Sequence, residues 1–244
     1  MKQSIFTVKT NEIIAHDVYK MTLSGDTSEI KAPGQFVNIK LPGRYLRRPV
    51  SVCDLEKDTL TLIYKTVGSG TYDMSRMQKG EKLDLLTGLG NGFDVSCVKD
   101  RATLIGGGVG VPPLYFLAKK LINRGVSVDA ALGFASKEDA ILVNELSALG
   151  VNVRTATADG SLGTKGFVTD ILRSDCAYFY ACGPIPMLHA LLKNASSDGQ
   201  MSFEERMGCG FGACMGCTMQ TKNGPKRVCR EGPVFDKNEV IFNG

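Results

Sequence analysis

Four cysteines near the end of the 244-residue sequence carry its most specific chemical signal. The segment reads Glu204-Glu205-Arg206-Met207-Gly208-Cys209-Gly210-Phe211-Gly212-Ala213-Cys214-Met215-Gly216-Cys217, and Cys229 follows after a loop. The spacing is C-x4-C-x2-C-x11-C, the plant-type arrangement of thiolates around a [2Fe–2S] cluster. A chain wrapped around sulfide must turn several N–H groups inward. Gly208, Gly210, Gly212 and Gly216 supply backbone conformations that residues with a Cβ resist. Thr218 to Val228, with Asn223-Gly224-Pro225 as a turn, would bring the fourth thiolate back. Structural zinc also accepts four thiolates, but commonly as two C-x2-C pairs, and only one pair here has that spacing. Disulfides are the remaining alternative, disfavoured in a reducing compartment. Cys53, Cys97 and Cys176 read as small core hydrophobes.

Two further constellations could hold organic cofactors. Arg48-Pro49-Val50-Ser51 starts a strand after a basic, Gly-Pro-marked loop. An Arg beside a Ser on one extended segment can neutralise a pyrophosphate and hydrogen-bond a flavin edge, although a solvated Arg is an equally plain reading. Ile105-Gly106-Gly107-Gly108-Val109-Gly110-Val111-Pro112-Pro113-Leu114 follows an apolar run and precedes a helical pattern. Gly106, Gly107, Gly108 and Gly110 would let the backbone approach a pyrophosphate, with Pro113 in the first helical turn. This is not the G-x-G-x-x-G fingerprint, because Val111 takes the last glycine position. Ala181-Cys182-Gly183-Pro184 forms another strand-to-helix turn. The end of the second parallel strand, Ser136-Lys137-Glu138-Asp139, offers one cation and two carboxylates. That balance favours NAD over NADP, whose 2′-phosphate calls for an Arg or a basic pair.

The elements that must position these groups fall into three zones. Residues 1–98 alternate apolar and polar positions in short runs (5–8, 18–23, 35–41, 59–65, 82–86), which predicts an antiparallel β-barrel, with a β-sandwich as the alternative. Residues 99–198 alternate apolar runs (102–105, 126–133, 151–156, 177–181) with helical stretches (113–123, 140–149, 167–172, 185–194). That rhythm predicts a parallel α/β nucleotide domain. Residues 199–244 form an irregular Cys/Gly-rich region for the cluster. The fold class is thus α/β plus β, with a C-terminal [2Fe–2S] loop region.

Composition narrows the function. A hydrophobic fraction of 43% supports sizeable cores. The net charge of +4, with no Lys/Arg run beyond a pair, gives no nucleic-acid footprint and no polybasic membrane anchor. No stretch approaches the ~18 apolar residues of a spanning helix, and the N-terminus lacks the apolar core of a secretory signal, so a cytoplasmic location is expected. The two histidines, His16 and His189, do not suggest an acid–base pair, and no catalytic residue for an organic substrate is identified.

The barrel motifs resemble those of the ferredoxin-reductase superfamily, whose barrel binds FAD through R-x-Y-[ST]; here Val50 replaces the usual aromatic residue. The resemblance implies that Arg48, Pro49, Val50 and Ser51 contact isoalloxazine and phosphates. It implies further that Ile63, Tyr64 and Lys65 line the flavin, and that Gly70-Thr71 open a short helix. The positive end of that helix would meet the pyrophosphate. It also places Cys182, Gly183 and Pro184, from a C-G-P-x-x-M segment ending at Met187, beside the nicotinamide.

Over nearly its whole length the chain resembles electron-transfer subunits of NAD-dependent dihydroorotate dehydrogenase B. The shared stretches include Gly88-Leu89-Gly90-Asn91-Gly92-Phe93, Asp159-Gly160-Ser161-Leu162-Gly163-Thr164-Lys165-Gly166 and the tail from Glu204. The loop before the fourth cysteine is shorter than is common in that family. The resemblance implies FAD and a [2Fe–2S] cluster on Cys209, Cys214, Cys217 and Cys229, with NAD⁺ as electron acceptor. It implies an FMN-containing catalytic partner subunit that oxidises dihydroorotate, in a heterotetramer of two plus two. Related subunits of NADH-dependent ferredoxin:NADP oxidoreductase and of sulfide dehydrogenase share most motifs but typically carry Asp at one cluster position. A reductase of that kind is one alternative, and a redox-silent zinc scaffold is another.

Overall fold

The computed structural model describes residues 1–173, 176 and 178–241. Six strands, β1 (Lys2–Ala15), β2 (Val18–Ser24), β3 (Phe36–Lys40), β4 (Arg48–Glu56), β5 (Thr59–Lys65) and β6 (Lys82–Leu89), close into a barrel. Their order is β1-β2-β5-β4-β3-β6, with every pairing antiparallel. Closure leaves no free edge and excludes the sandwich alternative. Side-chain direction alternates along each strand. Val37 and Ile39 of β3 and Val50 and Val52 of β4 therefore enter the barrel core, while Phe36, Asn38, Pro49 and Ser51 occupy the outer face. Helix α1 (Ser69–Ser75) sends Met74 into the same core.

The second unit is a seven-stranded sheet ordered β10-β9-β8-β7-β11-β12-β15. Its strands are β7 (Arg101–Gly107), β8 (Ser127–Phe134), β9 (Asn152–Thr157), the short β10 (Thr164–Lys165), β11 (Tyr178–Cys182), β12 (Asp198–Ser202) and β15 (Val234–Asp236). All neighbours are parallel except β15, which runs antiparallel to β12. Helices α2 (Val111–Ile122), α3 (Val143–Ala148) and α4 (Ile185–Asn194) make the connections. The apolar runs of β7 and β8 are buried on both faces, as expected of central parallel strands. Asp129, buried within β8, is matched by Arg101 Nε at 2.7 Å and Asn152 Nδ2 at 2.9 Å.

The irregular tail contributes more than the sequence pattern suggested. β12 begins at Asp198, at the expected domain boundary, and β15 then returns to extend the same sheet. A hairpin of β13 (Thr218–Thr221) and β14 (Gly224–Arg227) leads from Cys217 towards Cys229. The helix expected over 167–172 is a single tight turn at Val168–Ile171. Asp170 accepts the Phe167 N–H at 2.8 Å there, and Gly166 sits at φ +138°, so the chain turns instead of propagating a helix. Ala177, the first residue expected in the fourth parallel strand, lies outside the described residues.

The two units share cores reciprocally. Phe116 of α2 belongs to the barrel cluster, while Val18, Cys53 and Ile63 from the barrel join the cluster around Leu104 and Leu114. Lys119 of α2 clasps both carboxylate oxygens of Asp54 on β4 at 2.7 and 2.8 Å. The strand that starts with Arg48–Ser51 is thereby fixed against the helix that starts after Gly110.

Candidate flavin–nicotinamide cleft and thiol loop

A cleft of about 440 Å³ opens where the barrel meets the carboxyl ends of the parallel strands. This is where open α/β sheets receive ligands. Pro49, Val50 and Ser51 form one wall with Lys65, and Gly107, Gly108 and Gly110 form the opposite wall with Cys182, Gly183 and Pro184. Three segments far apart in sequence therefore face one space.

The other anticipated residues lie around it. Arg48 Nη1 donates to the Leu46 carbonyl at 2.6 Å, and its guanidinium lies over Gly70, where a Cβ would come within 2.3 Å of Nε. Thr71 Oγ1 accepts the N–H groups of Val67 and Gly68 at 3.0 and 3.2 Å, capping its own short helix. Ile63 is buried between the units. Tyr64 points into the barrel and donates to Asn11 Oδ1 at 3.0 Å, and burial pushes its phenol up. Gly106 lies beneath α2, where a Cβ would meet Val111 at 2.8 Å.

The glycine loop does more than admit a ligand. A Cβ on Gly110 would lie 2.3 Å from the Cys182 carbonyl oxygen, and one on Gly107 would lie 2.7 Å from Met187 Sδ. Those glycines let two strand-to-helix turns press together. Gly108, at φ +50°, has nothing within 4 Å of its Cβ position and faces open space.

Several cleft residues carried little sequence signal. Phe36, Asp139, Ser202, Glu204, Glu205 and Met207 line it as well. Asp139 lies 3.7 Å from Lys65 Nζ and accepts from Ser136 Oγ at 2.8 Å. The only available hint for Glu204 and Glu205 was their position just ahead of the cysteines. Burial pushes the Cys182 thiol up to about 12; its hydrogen bond with the Ser202 side chain opposes that rise, and the Glu204 charge adds to it. The thiol is therefore neutral at ordinary pH.

The thiol loop lies on the far side of Phe36, which shares a buried cluster with Cys217 and Cys229. The sulfurs form two pairs. Cys209 N–H points at Cys214 Sγ, and Cys214 N–H at Cys209 Sγ, each at 3.5 Å. Cys229 N–H points at Cys217 Sγ at 3.4 Å. Burial raises the Cys209 thiol, but the N–H groups of Phe211, Cys214 and Ala213 and the Cys214 thiol outweigh it and hold Cys209 at about 6. Burial and the neighbouring Cys217 thiol push Cys229 up to about 12. Among the described residues no three His, Cys, Asp or Glu side chains gather as a single-ion site. Four thiols with N–H groups turned towards sulfur are the donor set that a binuclear cluster takes.

Residues 204–241 match the family model described as the iron–sulfur cluster binding domain of dihydroorotate dehydrogenase B. The whole chain is 44% identical to the dihydroorotate dehydrogenase B (NAD(+)) electron transfer subunit of Geobacillus sp. (strain WCH70), covering 99% of this chain and all of the relative. It is 43% identical to the same-named subunit of Fusobacterium nucleatum, covering 98% of this chain and 99% of the relative. The chain belongs to this family of electron-transfer subunits.

Among solved structures, that of an NADH-dependent reduced ferredoxin-NADP oxidoreductase, described for flavin-based electron bifurcation, superposes with a TM-score of 0.88. The identity is 28%, over 98% of this chain and 90% of that one. A ferredoxin NADP⁺ reductase from Neisseria gonorrhoeae superposes at 0.67 with 18% identity, over 79% of this chain and 90% of that one, which shows the shared fold. Within the family's frame, the four cysteines would hold the cluster and the Pro49–Ser51 wall would receive the flavin. No helix among the described residues is long and apolar enough to cross a membrane.

Proposed function

We propose that the chain is the electron-transfer subunit of an NAD-linked dihydroorotate dehydrogenase. In this reading it connects an FMN-containing catalytic subunit, which oxidises dihydroorotate, to NAD⁺. The observation that carries the reading is the shared border of two sites. Phe36 lines the cleft and belongs to the same buried cluster as Cys217 and Cys229.

Bound FAD supplies the exchange between hydride and single-electron chemistry, and the chain binds and orients it. Pro49, Val50 and Ser51 provide an extended wall for the ring, and the Ser51 hydroxyl offers a hydrogen bond to its edge. The open Gly108 backbone and the Gly183-Pro184 turn admit the nicotinamide opposite. Cys182 adds a neutral thiol, not a charged thiolate, to that wall. Asp139, at the end of the second strand, favours an unphosphorylated ribose. Cys209, Cys214, Cys217 and Cys229 hold the cluster as thiolates, towards the catalytic subunit. The reading extends to a two-plus-two assembly working in the cytoplasm.

Anaerobic addition of NADH to the purified protein tests the core of this reading. Bleaching of the flavin absorbance is expected, and its absence overturns the assignment of NAD to the cleft. Adding the FMN-containing partner should then produce dihydroorotate-dependent NAD⁺ reduction. The TM-score of 0.88 to the ferredoxin-NADP oxidoreductase favours one second reading, a reductase serving a ferredoxin-type partner. Flavin bleaching combined with ferredoxin reduction, and no response to the dihydroorotate partner, would select it.

A further inference from the structure

Asn38 stands between the two sites and belongs to neither motif. It occupies the outer face of β3, two residues from Phe36 and opposite Pro49 on β4. Phe36 and Pro49 both line the cleft. From that same face the side chain of Asn38 reaches the thiol loop, where Nδ2 donates to the Cys209 carbonyl at 3.1 Å. The residue is 1% exposed, and its Oδ1 has no hydrogen-bond partner among the described residues.

The fit on the loop side is tight. Gly210, at φ +78°, would place a Cβ 2.3 Å from Asn38 Nδ2, so only glycine lets the amide reach the carbonyl before it. The Asn38 carbonyl is itself held by Arg47 Nη1 at 3.2 Å, and Arg47 is anchored on Asp84 at 3.0 Å. The barrel thus presents a braced amide to a loop that has no helix or strand of its own.

We propose that Asn38 is a positioning residue that fixes the Cys209 arm, and with it the spacing between the cluster site and the flavin cleft. A buried amide that makes one bond and leaves its oxygen unpartnered is poor as packing alone. Its value lies in the bond to Cys209. This inference rests on the two-site reading above.

The test uses the full chain loaded with FAD and cluster, with Asn38→Leu, Asn38→Gln and, as a control on the exposed end of the same strand, Lys40→Ala. Stopped-flow absorbance under anaerobic NADH follows flavin bleaching. Electron paramagnetic resonance of freeze-quenched samples follows the cluster. The second step moves one electron from NADH-reduced flavin to one ferric iron of the cluster, with no bond exchanged. In Asn38→Leu, bleaching should stay within about twofold of the parent while cluster reduction slows by about tenfold or more, since small misplacements carry large rate penalties. The cluster's resonance should also shift. Asn38→Gln, which keeps an N–H donor, should recover most of the rate, and Lys40→Ala should match the parent.

Equal cluster reduction and an unchanged resonance in Asn38→Leu overturn the proposal, as does equal slowing of both steps. If Asn38→Leu loses iron, retention of iron by Asn38→Gln supports positioning through the N–H, and loss in both overturns it. Failure of NADH to bleach the parent protein would instead overturn the functional reading.

Discussion

In the cleft, the two facing walls arrive on regular elements, and a border at Glu204, Glu205 and Met207 comes from the thiol loop. Pro49 to Ser51 ride on β4, Cys182 ends β11, and the glycine loop joins β7 to α2. In the thiol loop, residues 203–217 contain no helix or strand, and the N–H groups there turn towards sulfur. The cleft is shaped by barrel and sheet before any ligand enters. The loop draws much of its order from the groups it would bind, because metal binding free energy is also folding free energy. Within the loop the four thiols differ again. Cys217 and Cys229 are 2% and 1% exposed and form part of a core that reaches Phe36, Phe179 and Phe235, whereas Cys214 is exposed.

That contrast predicts unequal damage from losing a thiolate. Cys217→Ser should abolish the cluster and also weaken the β12–β15 edge of the sheet, because a hydroxyl replaces sulfur inside a shared core. Cys214→Ser should lose the cluster while leaving the sheet intact. Iron and sulfide analysis should show both losses. Thermal unfolding should separate the two, with Cys217→Ser falling by several degrees more, a difference of about 1–3 kcal/mol for a buried polar group without a partner. Equal unfolding temperatures would mean that the loop is as self-supporting as the cleft.

The cleft should fail in the opposite way. Gly110→Ala drives a methyl into the Cys182 carbonyl, and only a shift of one turn away from the other relieves it. Overpacking of this kind costs about 1–3 kcal/mol and opens the wall that the glycine loop makes with the Cys182 turn. NADH-dependent flavin bleaching should slow by about tenfold or more, in line with misplacement by a fraction of an ångström. Iron content should stay at the parent level. Loss of iron in this variant would break the distinction between the two regions.

A smaller effect is expected at the clasp between them. Lys119→Met removes the partner of Asp54, whose carboxylate is largely buried. Chemical denaturation should report a loss of about 1–2 kcal/mol, less than for a fully buried pair because Lys119 keeps some solvent contact.

The two regions were also unequally legible in the sequence. The thiol spacing is a local pattern, because one short loop must surround one cluster, and C-x4-C-x2-C-x11-C names all its members. Barrel and parallel sheet were legible from alternation and from buried apolar runs. The cleft is assembled from segments brought together by tertiary packing, so short motifs such as Arg48–Ser51 named only part of it. Phe36, Asp139 and Ser202 face the cavity because of strand register and topology, which no local spacing records. Tyr64 shows the same limit from the other side: adjacent to Lys65 in sequence, it alternates into the barrel while Lys65 reaches the cleft. β15 escaped notice because three residues carry too little periodicity to mark a strand.

The smallest expected effect concerns Cys182, where burial of the thiol has a measurable sign. An exposed thiol ionises near its ordinary value of 9.0, and burial moves this one to about 12. The folded state therefore holds its proton over a range in which the unfolded chain has lost it. Its contribution to stability is fully present below about pH 9 and is lost as pH rises from there towards 12. Across pH 6–8.5, flavin bleaching by NADH should show no inflection from this group, and Cys182→Ala should leave the shape of the profile unchanged while altering the packing of the wall. Above about pH 9, the parent protein should lose stability more steeply than Cys182→Ala in parallel denaturation curves. Identical slopes would show that water reaches the thiol and that the wall of the cleft is wetter than its packing indicates.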